Sequence, residues 1–254
     1  MGAITGVLAG LLGIGGGLVV VPALLFLLPS AGVSADVAMQ CALGTSLATI
    51  ILTSSSSALN HLKLGNVDMF AVKWLVPGVV IGGLFGATVA EWIPSQYLPK
   101  VFAVIVLILA FQMARSVKAS AIKPMPNPFL TTLSGIVIGT VASLAGIGGG
   151  ALSVPFLNRH GVEMRKAVGS SSVCGSIIAV SGMIGFIWHG SQVEGELPAY
   201  SLGYVYLPAL FFIAVMSIFT TRFGAKLACE LPTPILKKVF ACFLVVVSII
   251  MLAR

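Results

Sequence analysis

Charge is the scarcest property of this sequence. Only 8% of its 254 residues are Asp, Glu, Lys or Arg, whereas 58% are hydrophobic and mean hydropathy is +1.10. An ordinary soluble domain carries about 25% charged residues, and no polar stretch here is long enough to build one. Acidic residues are fewest, seven in all, and none lies in the middle of an apolar run, so the carboxylate proton relay of many pumps is missing. Three scattered histidines make a poor metal set. Cys41, Cys174, Cys229 and Cys242 fall in or near apolar segments without metal-type spacing and read as reduced packing residues. With neither Gly-x-Ser-x-Gly nor His-Glu-x-x-His present, the chain does not read as an enzyme, and no cofactor or metal is expected. The net charge of +7 is explained by basic loops at a membrane surface rather than by nucleic acid.

What is present in abundance is apolar length. Runs at 36–59, 69–90, 97–114, 164–187, 199–220 and 235–253 are each close to the roughly 20 residues of a spanning helix. Two further runs, 2–28 and 129–157, are broken by glycine, giving eight segments. The expected class is an all-α polytopic membrane protein. Its first residues lack the positive n-region of a cleavable signal peptide and run straight into the first broken segment.

The breaks are one motif written twice, Gly13-Ile14-Gly15-Gly16-Gly17 and Gly146-Ile147-Gly148-Gly149-Gly150, each followed five residues later by a proline, Pro22 or Pro155. Each glycine in a helix interior costs about 1 kcal/mol against alanine, so three in a row mark a break. Repetition extends further. Ala42-Leu43-Gly44-Thr45-Ser46 matches Ala167-Val168-Gly169-Ser170-Ser171 at an offset of 125, and Lys100-Val101-Phe102 matches Lys238-Val239-Phe240 at 138. The chain divides into a first repeat, 1–114, a linker, 115–128, with basic residues and three prolines, and a second repeat, 129–254.

Basic residues orient the halves. If all eight segments crossed, Lys and Arg would divide almost evenly between the two sides. If each broken run is a re-entrant hairpin, each half has three spans and the halves are inverted. Lys63, Lys73, Arg115, Lys118, Lys123, Arg159, Arg165, Lys166, Arg222, Lys226, Lys237 and Lys238 then share one side, leaving Lys100 and Arg254 opposite. That bias is the positive-inside pattern. It predicts two inverted repeats of about four helical segments, each opening with a re-entrant pair, with a cytoplasmic linker and both termini outside. A single kinked span is the competing geometry for residues 2–28 and 129–157.

A half-helix starting after Gly17 or Gly150 aims free N–H groups and the positive end of its dipole at the membrane centre, which suits an anion. Pro22 and Pro155 are expected near its first turn. After each hairpin comes a polar segment. Thr45, Thr49, Thr53, Ser57 and Asn60 form one helical stripe widened by Ser54, Ser55 and Ser56, and Ser170, Ser171, Ser172, Ser176 and Ser181 follow in the second half. Hydroxyls donate to an oxyanion without trapping it by charge. Against that stands back-bonding to a carbonyl one turn earlier, the commoner fate of a single Ser or Thr. The candidate substrate residues are Gly15, Gly16, Gly17, Thr45, Ser46, Thr49, Gly148, Gly149, Gly150, Ser170, Ser171 and Ser172. Cys41, Cys174, Asn60, His61 and His189 form a weaker second set. Gly82 and Gly86 read as helix packing, and Glu91 with Trp92 as an interface anchor.

The paired glycine motifs with their prolines, the Gly44-Thr45-Ser46 and Gly169-Ser170-Ser171 stretches and the four-plus-four organisation resemble the TauE/SafE family of membrane transporters over essentially the whole chain. The resemblance implies an inner-membrane, multi-pass transporter, an exporter of small sulfur-containing anions such as sulfite, sulfonate or thiosulfate. Its partners would be the anion and the bilayer, with an oligomer left open. The alternative is a pore for a small neutral solute or a carboxylate.

Overall fold

The computed structural model describes residues 17–114, 124–193, 197–215 and 233–252. Helix α1 is Gly17–Leu27, followed by a 3-10 turn at Pro29–Ala31, α2 (Ala35–Lys63), α3 (Met69–Trp92) and α4 (Leu98–Ala114). The second half gives α5 (Pro128–Leu144), α6 (Gly150–Arg159) and α7 (Met164–Gly190), a hairpin of β1 (Ser201–Leu202) and β2 (Val205–Tyr206), helix α8 from residue 207, and α9 (Thr233–Leu252). The fold is all-α apart from that hairpin. Among the described residues α2, α3 and α7 are long and apolar enough to cross a membrane. Large apolar side chains remain exposed on the outside, among them Leu52, Phe85, Ile108, Phe129 and Ile184, as expected of a surface that meets lipid.

Polar residues set the helix starts. Ser34 Oγ accepts from Asp36 N–H, Asp68 Oδ1 from Ala71 N–H, and Asn127 Oδ1 from Leu130 N–H with Pro128 in the first turn. The second broken run is two helices of 17 and 10 residues separated by Ala145–Gly149. Gly146 and Gly149 there take φ of +56° and +70°, angles other residues rarely adopt. Pro22 and Pro155 are each the sixth residue of their helix rather than in its first turn. A proline at that position removes the bond to the carbonyl four residues earlier, on Leu18 or Ala151, beside the break.

Contacts along the long helices fix their directions. On α2 and α7, Gly44 faces Phe186, Leu47 faces Gly182, Ser57 bonds Ser172 and His61 faces Gly169, so the pair is antiparallel. Helix α3 runs parallel to α7, with Gly83 on Ser181 and Ala87 on Gly185. It also runs parallel to α5, where a Cβ on Gly78 or Gly82 would strike the Thr132 or Ile136 backbone and Gly86 faces Ser143. Gly82 and Gly86 thus serve close packing. Helix α4 packs on α9, its repeat partner.

The apolar run at 199–220 is not helical from its start. Residues 201–206 form the β-hairpin, with Gly203 at φ +54° against Ile187 and Tyr204 N–H donating to the Phe186 carbonyl. The repeat offset rises from 125 before this point to 138 after it, thirteen extra residues, and the longer connection between α7 and α8 accommodates them.

Candidate functional site

The described edge of the first break and all of the second meet at mid-depth. Gly17 opens α1 beside the Gly146 carbonyl, where a Cβ would collide, and that carbonyl accepts a 2.8 Å hydrogen bond from Ser46 Oγ. A Cβ on Gly148 would lie 2.9 Å from Ile50 Cγ2 and 3.2 Å from Ser54 Oγ, and Gly175 backs directly onto the Gly148 carbonyl. Ile50 and Gly175 sit near the midpoints of α2 and α7. Small residues are required because three backbone segments cross within contact distance.

At the second break several backbone donors are left unpaired. The N–H groups of Gly148, Gly149, Gly150 and Ala151 have no partner among the described residues, while Leu152 and Ser153 N–H both donate to the Gly149 carbonyl. Gly148 and Gly149 are buried. A buried N–H without a partner is rare, and here several converge at the positive end of α6.

The hydroxyl stripes divide by fate. Thr45 Oγ1 accepts from Tyr206 N–H (2.9 Å) and Ser170 Oγ from Asp68 N–H (2.8 Å), so Thr45 ties α2 to the start of α8 and Ser170 ties α7 to the start of α3. Thr49 donates to the Ser46 carbonyl, Thr53 to the Ile50 carbonyl, Ser171 and Ser172 to Val168, and Ser176 to Ser172. Back-bonding takes most of the stripe. Of the sequence candidates, the structure gathers Gly17, Ser46, Gly148, Gly149 and Gly150; Gly15 and Gly16 lie outside the described residues.

The second set is dispersed. Cys41 and Cys174 are buried free thiols in two different apolar clusters, and Cys229 is outside the described residues. Asn60 is exposed, His61 packs against Gly169, and His189 Nε2 meets Thr88 Oγ1 at 3.1 Å. Along their helices Asn60 and His61 lie 10–11 residues (about 16 Å) beyond Ile50 and His189 lies 14 residues (about 21 Å) beyond Gly175, whereas Cys174 adjoins Gly175. Glu91 does more than anchor, since it accepts from Tyr204 Oη at 3.2 Å. Two buried hydroxyls went unnoticed in the sequence, Ser143 and Ser153, neither with a partner among the described residues. A groove of about 340 Å³ between α3 and α7 is lined by Val80, Leu84, Ser176, Ile177, Val180, Ser181 and Ile184 and presents an almost wholly apolar surface.

The family described as Sulfite exporter TauE/SafE matches residues 1–251. This chain belongs to the TauE/SafE family. A probable membrane transporter protein of Haemophilus influenzae is 43% identical over 255 residues, covering 100% of this chain and 96% of that relative. One of Methanocaldococcus jannaschii is 29% identical over 256 residues, covering 99% and 93%. A third, YunE of Bacillus subtilis, is 29% identical over 208 residues, covering 74% and 76%. No solved structure matches. Membership in TauE/SafE and these transporter relatives make the chain a multi-pass membrane protein and a membrane transporter.

Proposed function

We propose that this TauE/SafE protein exports a small sulfur oxyanion (sulfite, a sulfonate or thiosulfate) across the inner membrane by alternating access at the meeting point of the two glycine breaks. The repeats 1–114 and 129–254 are inverted, the linker 115–128 is cytoplasmic, and residues 129–157 form a re-entrant pair. The antiparallel packing of α2 on α7, which are repeat partners, supports inversion. Re-entry is supported by neighbours: Gly148 and Gly149 lie beside Gly175 and Ile178 midway along α7, while Leu157 clusters with Ala167 near its start and with Ala71 at the start of α3. Helix α6 therefore returns toward the side from which α5 came.

The observation that carries the anion site is the set of unpartnered N–H groups at Gly148–Ala151. They replace part of an anion's water with fixed dipoles at the N-terminus of α6. Thr45, Ser170 and Ser172 then hold the helices that frame the site, while Thr49 and Ser171 bond within their own helices. An inside-negative potential drives an anion outward by about 2.3 kcal/mol per charge per 100 mV, which suffices for export without a protein carboxylate.

The test is uptake of labelled sulfite, thiosulfate and a small sulfonate into proteoliposomes at set potential, with proton and sodium gradients varied separately. Saturable, potential-driven flux that disappears in Gly149→Leu while the protein remains inserted is the expected result. Flux indifferent to the anion's identity, or untouched by Gly149→Leu, would replace this reading with a pore.

A further inference from the structure

We infer that Ser153 is the side-chain ligand of a single anion site at the second break, and that this site takes a monovalent rather than a divalent oxyanion. The inference rests on the anion-site reading above and narrows it.

Ser153 is 1% exposed, and its Oγ has no hydrogen-bond partner among the described residues. It lies on the first turn of α6, with Oγ 3.7 Å from where a Cβ on Gly149 would stand. Most of the neighbouring polar hydroxyls are satisfied. Thr49, Ser171, Ser172 and Ser176 back-bond within their own helices, Ser46 donates to Gly146, and Thr45 and Ser170 accept from backbone. A buried hydroxyl left without a partner costs about as much as a lost hydrogen bond, and Ser153 is left so one turn from the unpartnered N–H groups of Gly148–Ala151. Its O–H can donate alongside those N–H groups, and an oxyanion accepts from all of them.

The first repeat offers no equivalent. The residue matched to Ser153 at the motif's own offset of 133 is Val20, which is buried in the apolar cluster with Leu18, Val21 and Leu24. Gly17 moreover lies against the Gly146 backbone. The two breaks are alike in sequence, but among the described residues the helix after the first has an apolar Val20 where the second has Ser153, and the anion site is assigned to the second.

Charge selection follows from what surrounds it. The side-chain atoms nearest to where a Cβ would stand on Gly148 or Gly149 belong to Ile50, Ser54, Ser153, Ile178 and Ala142, none of them ionisable. Arg159, the nearest cation along α6, is nine residues beyond Gly150, about 14 Å. The positive end of one helix is equivalent to roughly half a charge. The cost of taking an ion out of water grows with the square of its charge, and a buried ion needs a partner. A half-charge and neutral donors suit one negative charge and leave a second uncompensated.

Methanesulfonate and sulfate separate charge from size, since both are small sulfur oxyanions and only the first is monovalent. Below neutral pH, where sulfite is chiefly monovalent hydrogensulfite, reconstituted full-length protein should carry labelled methanesulfonate or hydrogensulfite with saturable flux, and the dianions sulfate and thiosulfate at background. Ser153→Ala should raise KM for the monovalent anion about ten- to a hundredfold, the range for losing a hydrogen bond to a charged group. It should also leave Tm unchanged or higher, because an orphaned hydroxyl is gone. A structural serine would instead show a lowered Tm with KM unmoved, and that result overturns the assignment. Ser153→Cys, a weak donor of similar size, serves if the alanine variant fails to insert; its KM should rise, and an unchanged KM overturns the assignment equally. Sulfate flux equal to methanesulfonate flux overturns the charge selection. Loss of flux in Gly149→Leu with normal Ser153→Ala kinetics defeats this inference alone, whereas normal flux in Gly149→Leu, or no flux of either monovalent anion, defeats the anion-site reading with it.

Discussion

The helix-to-helix contacts and the two glycine tips answer to the repeat in opposite ways. Gly44 on α2 meets Phe186 and the Tyr204 backbone, and its counterpart Gly169 on α7 meets His61 and the Asn66 backbone. His61 and Phe186 are matched residues, as are Asn66 and Tyr204 at the later offset. The hydroxyls repeat the pattern, with Thr45 holding Tyr206 N–H and Ser170 holding Asp68 N–H, again between matched positions. A different side chain thus makes the same contact twice. At the tips the glycine motif is identical, and the helix that follows differs, with Ser153 in one and Val20 in the other. Symmetry is kept in these helix contacts and is lost where Ser153 is matched by Val20.

The comparison breaks most severely at Gly149. A leucine there must adopt φ near +70°, costing about 1–2 kcal/mol, and would drive its Cβ to 2.5 Å from Ile178 Cδ1. Transport should fall to background with insertion intact. Gly65→Leu imposes a similar backbone angle, φ +67°, with nothing within 4 Å of the Cβ, and should transport normally. Parallel measurement of both variants in proteoliposomes separates site from strain.

Smaller effects sharpen the symmetric region. Thr45→Val and Ser170→Ala each strand a backbone N–H, on Tyr206 and Asp68 respectively. Each should destabilise by about 1–3 kcal/mol, by similar amounts, in thermal unfolding of detergent-solubilised protein. A large disparity would mean that the two bonds are not equivalent. Ser46→Ala removes the bond to the Gly146 carbonyl and should destabilise by about 1 kcal/mol, while raising KM by loosening the tip. Thr88→Val, which frees His189 near the helix ends, should change stability by less than about 1 kcal/mol and leave KM unmoved.

Much of this was readable beforehand, because length and glycine are strong signals. The apolar runs gave α2, α3, α4, α7 and α9 to within a few residues, and three adjacent glycines marked the break between α5 and α6. The β-hairpin was not readable, since residues 199–206 are as apolar as a helix and only the offset change betrayed the insertion. Pro22 and Pro155 fall in the second turn rather than the first, each five residues beyond the last glycine of its motif, at which the helix begins. For the site, periodicity found the hydroxyl stripe but could not say which hydroxyls back-bond. That depends on the partner each side chain meets: Thr45 finds Tyr206, Thr49 only its own helix. Ser153 escaped notice since it sits inside the short helix and off the stripe. Its mismatch with Val20 was the available clue.

The most direct measurement is potential-driven flux of labelled sulfite into proteoliposomes carrying wild-type protein, Gly149→Leu or Gly65→Leu at equal insertion. The account predicts saturable flux for wild type and Gly65→Leu and background for Gly149→Leu. Equal flux in all three would contradict a substrate site at the second glycine break.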